Sequence, residues 1–442
     1  MSVVELFRAS LAHTPQSPFQ HPNALECHHD GGLLVQHGRV VAAGDYGDLQ
    51  RQHPDAITHD WRGGLILPGF VDTHVHFPQL RVLGSLGLSL LEWLEHAALP
   101  EEARMSDIAY ADTTARRFVT ALAAHGTTTA LVFGAHFAGA TAALFEAADR
   151  SGLRVVSGLV LSDRRLRDDL HQSPSSAYEQ SCALIRRFHK HGRLLYAVTP
   201  RFALSTSEAM LETCQSLMAE YPDVRFQTHI NENPAKIAAV RELFPWSRDY
   251  LDVYERFALS GPRSVLAHSV WSTAAELERM AATGASVAHC PCSNAALGSG
   301  VFPLRRHLNA GVHVSLGTDV GGGTGFGMAK EGLYAYLTHR VAPDSVALDP
   351  GQMLYLATKA GAEALGLGDE TGDFSTGKSA DFVCVRPLAG SVLADVLTRA
   401  ESVPRMLAAV FTLAGAESVH EVRVGGTRVS AREGDPLEAL GV

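Results

Sequence analysis

From about residue 65 onward the chain repeats one pattern: a short apolar, β-branched run, a polar or glycine-rich break, then a longer segment with helical spacing. The runs are "LILPGFVDTH" at 65, "GTTTALVFG" at 126, "RVVSGLVL" at 154, "RLLYAVTPRF" at 193, "VRFQTHI" at 224, "SVLAHSV" at 264, "ASVAHCP" at 285 and "VHVSLGTD" at 312. Between them lie helix-like segments such as "TAALFEAADRSG" at 141, "SEAMLETCQSLMAEY" at 207 and "TAAELERMAATG" at 273. Strands that alternate with helices read as parallel βα units, and about eight of them predict an α/β fold of the TIM-like (β/α)8 barrel type rather than an open sheet. The two ends differ. "GGLLVQHGRVVAAGDYG" at 31, "GKSADFVCVRP" at 377 and "VHEVRVGGTRVSA" at 419 read as short strands with glycine turns and no helices between them. The expected organisation is therefore a barrel over residues 67–370 and a small β-sandwich domain assembled from residues 1–66 and 371–442. The charged stretch "RRLRDDLHQSPSSA" at 164 reads as a solvated loop.

Composition narrows the function. With 442 residues, 46% hydrophobic and 19% charged, the chain can bury a large core. A net charge of −10 and the lack of a long Lys/Arg cluster argue against nucleic acid and acidic membrane surfaces, and favour a small neutral substrate. The six cysteines, Cys27, Cys182, Cys214, Cys290, Cys292 and Cys384, form no disulfide framework, and the lone C-x-C lacks the second pair of a structural zinc site. With neither a signal-peptide layout at the N-terminus nor an apolar stretch of ~20 residues, a cytoplasmic location is expected.

The chemistry gathers at strand ends. In a strand, residues two apart share a face, so His74 and His76 project together, at the C-terminal mouth of a barrel. An isolated H-x-H is more often a pair of core or surface histidines. Here His229 ends the fifth predicted strand, His268 the sixth and Asp319 the eighth, and convergence of five such residues on one mouth is hard to obtain from packing alone. Imidazoles and a carboxylate suit Zn²⁺ first, with Fe²⁺ or Mn²⁺ as alternatives, and leave a position open for water. Glu232, three residues after His229, reads by itself as a loop acid; beside a metal mouth it is a candidate proton shuttle. "GGGTGFG" at 321 lacks the Lys-Ser/Thr of a phosphate loop and reads as flexible backbone beside the pocket, while Cys290 and Cys292 read as packed thiols.

"PGFVDTHVH", "THI", "AHSV" and "GTD" together resemble the amidohydrolase superfamily, and "HVHFPQ", "LLEWL" at 90, "TPRFALS" at 199, "THINEN" at 228, "YLDVY" at 250, "AHCPCSN" and "LGTDVGGG" resemble its guanine deaminase branch. The resemblance runs through nearly the whole barrel. It implies hydrolytic deamination of guanine to xanthine and ammonia, one zinc per subunit held by His74, His76, His229 and Asp319, and a homodimer. A second ion would need a bridging group; in the family these motifs resemble it is usually a carboxylated lysine at the end of the fourth strand, which here ends in "AVTPRF" with Arg201 and no lysine, so the resemblance implies one metal. It further implies that His268 orients or deprotonates water with Asp319, that Glu232 relays protons, and that Gln79, Arg201 and Phe202 contact the purine. Cys292 and Ser269 depart from the residues usual at their positions and put the fine shape of the pocket in question. The competing classes are a deaminase of another aminopurine, pterin or triazine, and a non-catalytic barrel relative; the latter would have lost metal ligands, and none is missing.

Overall fold

The computed structural model describes residues 3–344 and 346–429. Its strands are β1 (Val4–His13), β2 (Glu26–Gln36), β3 (Arg39–Asp45), β4 (Ile57–Pro68), β5 (Phe70–His76), β6 (Thr127–Phe133), β7 (Arg154–Gly158), β8 (Val160–Leu161), β9 (Leu194–Pro200), β10 (Arg225–Ile230), β11 (Ser264–His268), β12 (Ser286–His289), β13 (His313–Leu316), β14 (Phe382–Val385), β15 (Val419–Val424) and β16 (Thr427–Arg428). Eight of them, β5, β6, β7, β9, β10, β11, β12 and β13, pair in that order and in parallel, each from one of the runs recognised in the sequence. The first and last meet side by side. The Thr73 hydroxyl donates to the Leu316 carbonyl at 2.8 Å, the Asp319 N–H to the His74 carbonyl at 2.7 Å and the His76 N–H to the Val320 carbonyl at 2.9 Å. The sheet is thereby a near-closed barrel.

Apolar residues from six of its strands, Val71, Leu131, Val156, Ala197, Val265 and Ala288, form one buried cluster with Ala362 and Leu365. The run beginning at residue 65 serves two sheets, because Leu65–Pro68 belong to β4 and the barrel starts only at Phe70. Gly69 makes the crossing. A Cβ there would lie 2.1 Å from the Thr128 hydroxyl, while its N–H donates to the Asp381 carbonyl at 3.0 Å, so only a residue without a side chain passes. The helices have local causes as well. Ala274–Thr283 opens on a reciprocal cap between Thr273 and Glu276, ends on left-handed Gly284, and buries Leu277 and Met280. Ser173, at the end of the expected loop, accepts the Ser176 N–H and starts the helix Pro174–Phe188, so the "PSSA" of that stretch is helical.

The chain ends build one seven-stranded sheet in the order β16-β15-β14-β4-β1-β2-β3. Phe7, Leu11, Leu33, Val35, Trp61, Ile66 and Phe382 from four of its strands share a buried cluster. Its tight turns use positive φ: His37 and Gly38 at 53° and 72°, Gly425 and Gly426 at 56° and 73°. Two features differ from the sequence reading. Residues 4–13, assigned no element there, form β1 at the centre of the sheet; and between β14 and β15, where no helix was expected, lie helices Val392–Arg399 and Val403–Leu413, which bury Leu393, Leu397, Met406, Leu407 and Val410. The last two residues of the 419–431 run, and 430–442 of the expected C-terminal portion, lie outside the described residues. No described helix is long and apolar enough to cross a membrane.

Asp381 joins this sheet to the barrel. Its buried carboxylate accepts from Arg154 of β7 at 3.2 Å, from the Ser379 hydroxyl at 2.6 Å and from the Gly425 N–H at 2.7 Å. Removing one partner strands a buried guanidinium. We predict that Asp381→Ala lowers unfolding stability by about 3–5 kcal/mol, read as a shift of the urea midpoint. An unchanged midpoint would show that this contact carries no stability.

Candidate active site

His74 and His76 leave the end of β5 on one face, and His229 and Asp319 arrive at the same point from β10 and from the turn after β13. The ligand atoms of these four buried side chains lie within 4.8 Å of one another. The His76 Nε2 is 3.3 Å from the Nε2 of both His74 and His229, and the Asp319 Oδ1 is 3.2 Å from the Nε2 of His74 and of His76. Ligand atoms around a tetrahedral ion with bonds of about 2.0–2.1 Å stand about 3.3 Å apart, so the spacing suits such an ion. The protonation states agree. Burial drives His229 well below the usual imidazole value, aided by His74, and burial lowers His74 too, leaving lone pairs available. Burial alone would raise Asp319, but His74 and His76 hold it well below the usual carboxylate range. Neutral His74 and His229 with an ionised Asp319 suit a divalent metal, and His76 adds a third imidazole to the set.

The supporting contacts fix each ligand. His229 Nδ1–H donates to the Arg201 carbonyl at 2.6 Å, which turns Nε2 toward the cluster. Tyr254 donates to the His229 carbonyl at 3.1 Å and receives the Ala203 N–H at 3.0 Å, tying the ends of β9 and β10 together. The buried Asp72 carboxylate accepts the Thr318 N–H at 3.0 Å, the Thr318 hydroxyl at 2.5 Å and the His74 N–H at 3.2 Å. It clamps β5 to the turn carrying Asp319. Left-handed backbone at Asn231, His268, Ser269 and Asp319, with φ between 46° and 75°, re-aims the chain at three of these strand ends.

His268 and Glu232 face the cluster. The His268 Nδ1–H donates to the Asn294 Oδ1 at 3.0 Å, leaving Nε2 as the unprotonated nitrogen, 3.7 Å from Glu232 Oε1 and 3.9 Å from Asp319 Oδ2. Burial lowers the His268 value below that of a free imidazole, so Nε2 is a base at neutral pH. Burial opposes the charge of Glu232, yet His268 and Lys236 keep its carboxyl below the ordinary range. Both side chains are poised to take a proton.

The other predicted residues meet on a carboxylate that the sequence reading passed over. Glu102, on the short helix Leu99–Ala103, accepts from Gln79 Nε2 at 2.7 Å and from Arg201 Nη2 and Nε at 2.7 and 3.3 Å. Burial alone would raise its carboxyl, but Arg201 beside it holds the value at about 2. The Gln79 Oε1 receives the Gly321 N–H at 3.1 Å, which settles the orientation of the amide. Among the described residues, no partner is found for the second N–H of Gln79 or for Arg201 Nη1. Phe202 lies 5.9 Å from the His229 ring, centre to centre.

A family model described as the amidohydrolase family matches residues 65–429. The chain is an amidohydrolase. Among its relatives, a protein of Deinococcus radiodurans named probable guanine deaminase is 56% identical over 98% of this chain and 100% of its own length. The solved structure of Escherichia coli guanine deaminase, 40% identical, superposes with a TM-score of 0.92 over 96% of this chain and 99% of that one. That of a Clostridium acetobutylicum guanine deaminase with guanine bound in its active site, 26% identical, gives 0.89 over 96% and 100%.

In this amidohydrolase the glycine-rich stretch after β13 is not the flexible backbone expected. Gly321, Gly322 and Gly323 are buried, and a Cβ would lie 2.5 Å from the Gln79 carbonyl oxygen at Gly321 and 1.9 Å from that of Thr318 at Gly323. The glycines permit close approach rather than motion. Cys292 is packed, its N–H donating to Glu331 at 3.1 Å, and the Ser269 hydroxyl is occupied by Ser272 at 2.6 Å and His307 at 3.0 Å. Gly317 packs directly on a candidate ligand, because a Cβ there would sit 2.7 Å from His74 Cβ and 2.9 Å from its backbone nitrogen. We predict that Gly317→Ala pushes β5 from the Asp319 turn and lowers bound metal by at least ~10-fold, the cost of a disturbed ligand support. Metal analysis of the purified variant checks this, and full loading would show that the seam tolerates the methyl group.

Proposed function

We propose that this amidohydrolase converts guanine and water to xanthine and ammonia, with one zinc ion held by His74, His76, His229 and Asp319. The reading is carried by one juxtaposition: a three-histidine, one-aspartate cluster lies against the two bases His268 and Glu232, with two donor side chains held nearby on one carboxylate, Glu102. The guanine deaminases of D. radiodurans and E. coli, and the guanine in the C. acetobutylicum structure, support it.

Bound there, a divalent ion supplies Lewis-acid chemistry that lowers the pKa of water from about 15.7 toward ~7. The residues handle the substrate and the protons. The free N–H of Gln79 and the Nη1 of Arg201 bind acceptors, and guanine offers a carbonyl oxygen at the edge where adenine carries an amino group. Phe202 packs against the ring. Glu232 Oε1 accepts one proton of the attacking water, which His268 Nε2 orients, and the water oxygen joins the carbon that bears the amino group. Glu232 then protonates the neighbouring ring nitrogen; the second proton, left on the new hydroxyl, passes through His268 Nε2 and Glu232 Oε1 to the amine, which leaves as ammonia as the hydroxyl becomes the carbonyl.

Purified protein given guanine should form xanthine, hold about one ion per chain, lose activity to a chelator and regain it with Zn²⁺. Activity that survives complete metal removal would end the metal reading. Restoration by Fe²⁺ or Mn²⁺ but not by Zn²⁺ would reassign the ion.

Substrate choice and proton transfer are checked separately. A pocket of buried donors facing the amino group of adenine leaves polar groups unpaired, which supports discrimination of ~10⁴-fold in kcat/KM for guanine over adenine. Comparable ammonia release from the two bases would overturn the guanine assignment. Glu232→Gln should retain metal and lose ~10²–10⁴-fold in turnover. Near-normal turnover in that variant returns Glu232 to a structural role.

A further inference from the structure

Lys236 takes no part in the reaction as described, yet it is enclosed to 2% exposure beside the group that moves the protons. It lies in the first turn of the helix Pro234–Leu243, which Asn233 caps and Pro234 opens, and its side chain reaches back to Glu232, which precedes the cap. Its Nζ donates to Glu232 Oε2 at 2.7 Å and stands 4.2 Å from the centre of the Phe202 ring. A buried ammonium needs a countercharge, and Glu232 supplies it. On its other oxygen, Glu232 Oε1 stands 3.7 Å from His268 Nε2, and the same nitrogen is 3.9 Å from Asp319 Oδ2. One carboxylate oxygen is thus held by Lys236 while the other faces the reacting centre.

We propose that Lys236 is a positioning residue for Glu232: it fixes Oε2 so that Oε1 meets substrate and water, and its charge makes protonated Glu232 a stronger donor. The second effect follows from charge balance. When Oε1 takes a proton from water, Glu232 becomes neutral and the ammonium at Oε2 loses its countercharge. Passing the proton to the ring nitrogen or the departing amine restores the ion pair. Lys236 therefore drives Glu232 to deliver the proton rather than store it, and no bond to Lys236 is made or broken. Phe202, against the same Nζ, keeps the pair dry.

This inference rests on the proposed deamination, and one experiment separates the two. Lys236→Met, Glu232→Gln and the double variant are compared with the unmodified protein for guanine kcat and KM, bound metal, thermal unfolding and binding of hypoxanthine, a purine without the amino group. Lys236→Met should lower kcat at least ~10-fold, with KM and hypoxanthine binding within about threefold and metal retained. In the Glu232→Gln background the same substitution should change kcat less than about twofold, because residues that act as a unit are not additive. Lys236→Gln, which keeps a donor without the charge, should resemble Lys236→Met, and it supplies the same comparisons if the methionine variant does not fold. An equal loss in both backgrounds, or unchanged kcat in the single variant, overturns the role given to Lys236 and leaves guanine deamination standing. No deamination of guanine by the unmodified, metal-loaded protein overturns both.

Discussion

The cluster of three histidines and one aspartate exists because the first and last strands of the barrel are held together at one seam. His74 and Asp319 belong to strands far apart in the chain, and nothing local sets the distance between them. Three hydrogen bonds across the seam, the Asp72 carboxylate and the missing side chain at Gly317 set it instead. Barrel closure and ligand geometry are one constraint. Neutral imidazoles and an ionised carboxylate packed this closely favour a bound cation as strongly as they resist being left alone.

Around the cluster, buried charges come in matched pairs. Arg201 faces Glu102 and Lys236 faces Glu232, each pair buried on both sides. Pairing allows a permanent donor and an ionised carboxylate to coexist in a dry pocket without a large net charge, which suits a neutral, acceptor-bearing molecule. Glu102 has the further effect of fixing two donors at once, so the specificity proposed for Arg201 and Gln79 depends on a residue expected to touch no substrate.

The fold was legible where periodicity is strong. All eight barrel strands, and the ligating residues at their ends, carry local signals: a period of two in "HVH" and single strand-end residues in "THI", "AHS" and "GTD". Some supporting residues, Asp72, Tyr254 and Asn294, lie inside stretches that carry the resemblance, but nothing local assigns them a contact. Glu101 and Glu102 are adjacent acids in one helical turn, and only the fold decides that Glu101 reaches Arg104 and Tyr110 while Glu102 meets Gln79 and Arg201. Lys236 four residues after Glu232 has the spacing of any surface ion pair. The helices between β14 and β15 were hidden because "SVLADVLTRA" and "VPRMLAAVFTL" were read as part of a β region, although their apolar residues recur at helical intervals. The glycines after β13 were misread because sequence does not distinguish a glycine that bends freely from one that admits a neighbour.

The sheet made from both ends has a consequence for how this protein is made. Strand β4 pairs with β1 on one side and with β14 on the other, Leu67 lying opposite Val383. On the ribosome, β4 emerges early and keeps one edge bare until residues 382–385 appear, after the entire barrel has been synthesised. Closing so long a loop adds little to the final stability balance but places the step late in time. A growing chain therefore carries an unprotected apolar strand edge through most of its synthesis, the condition under which nascent proteins aggregate or recruit chaperones.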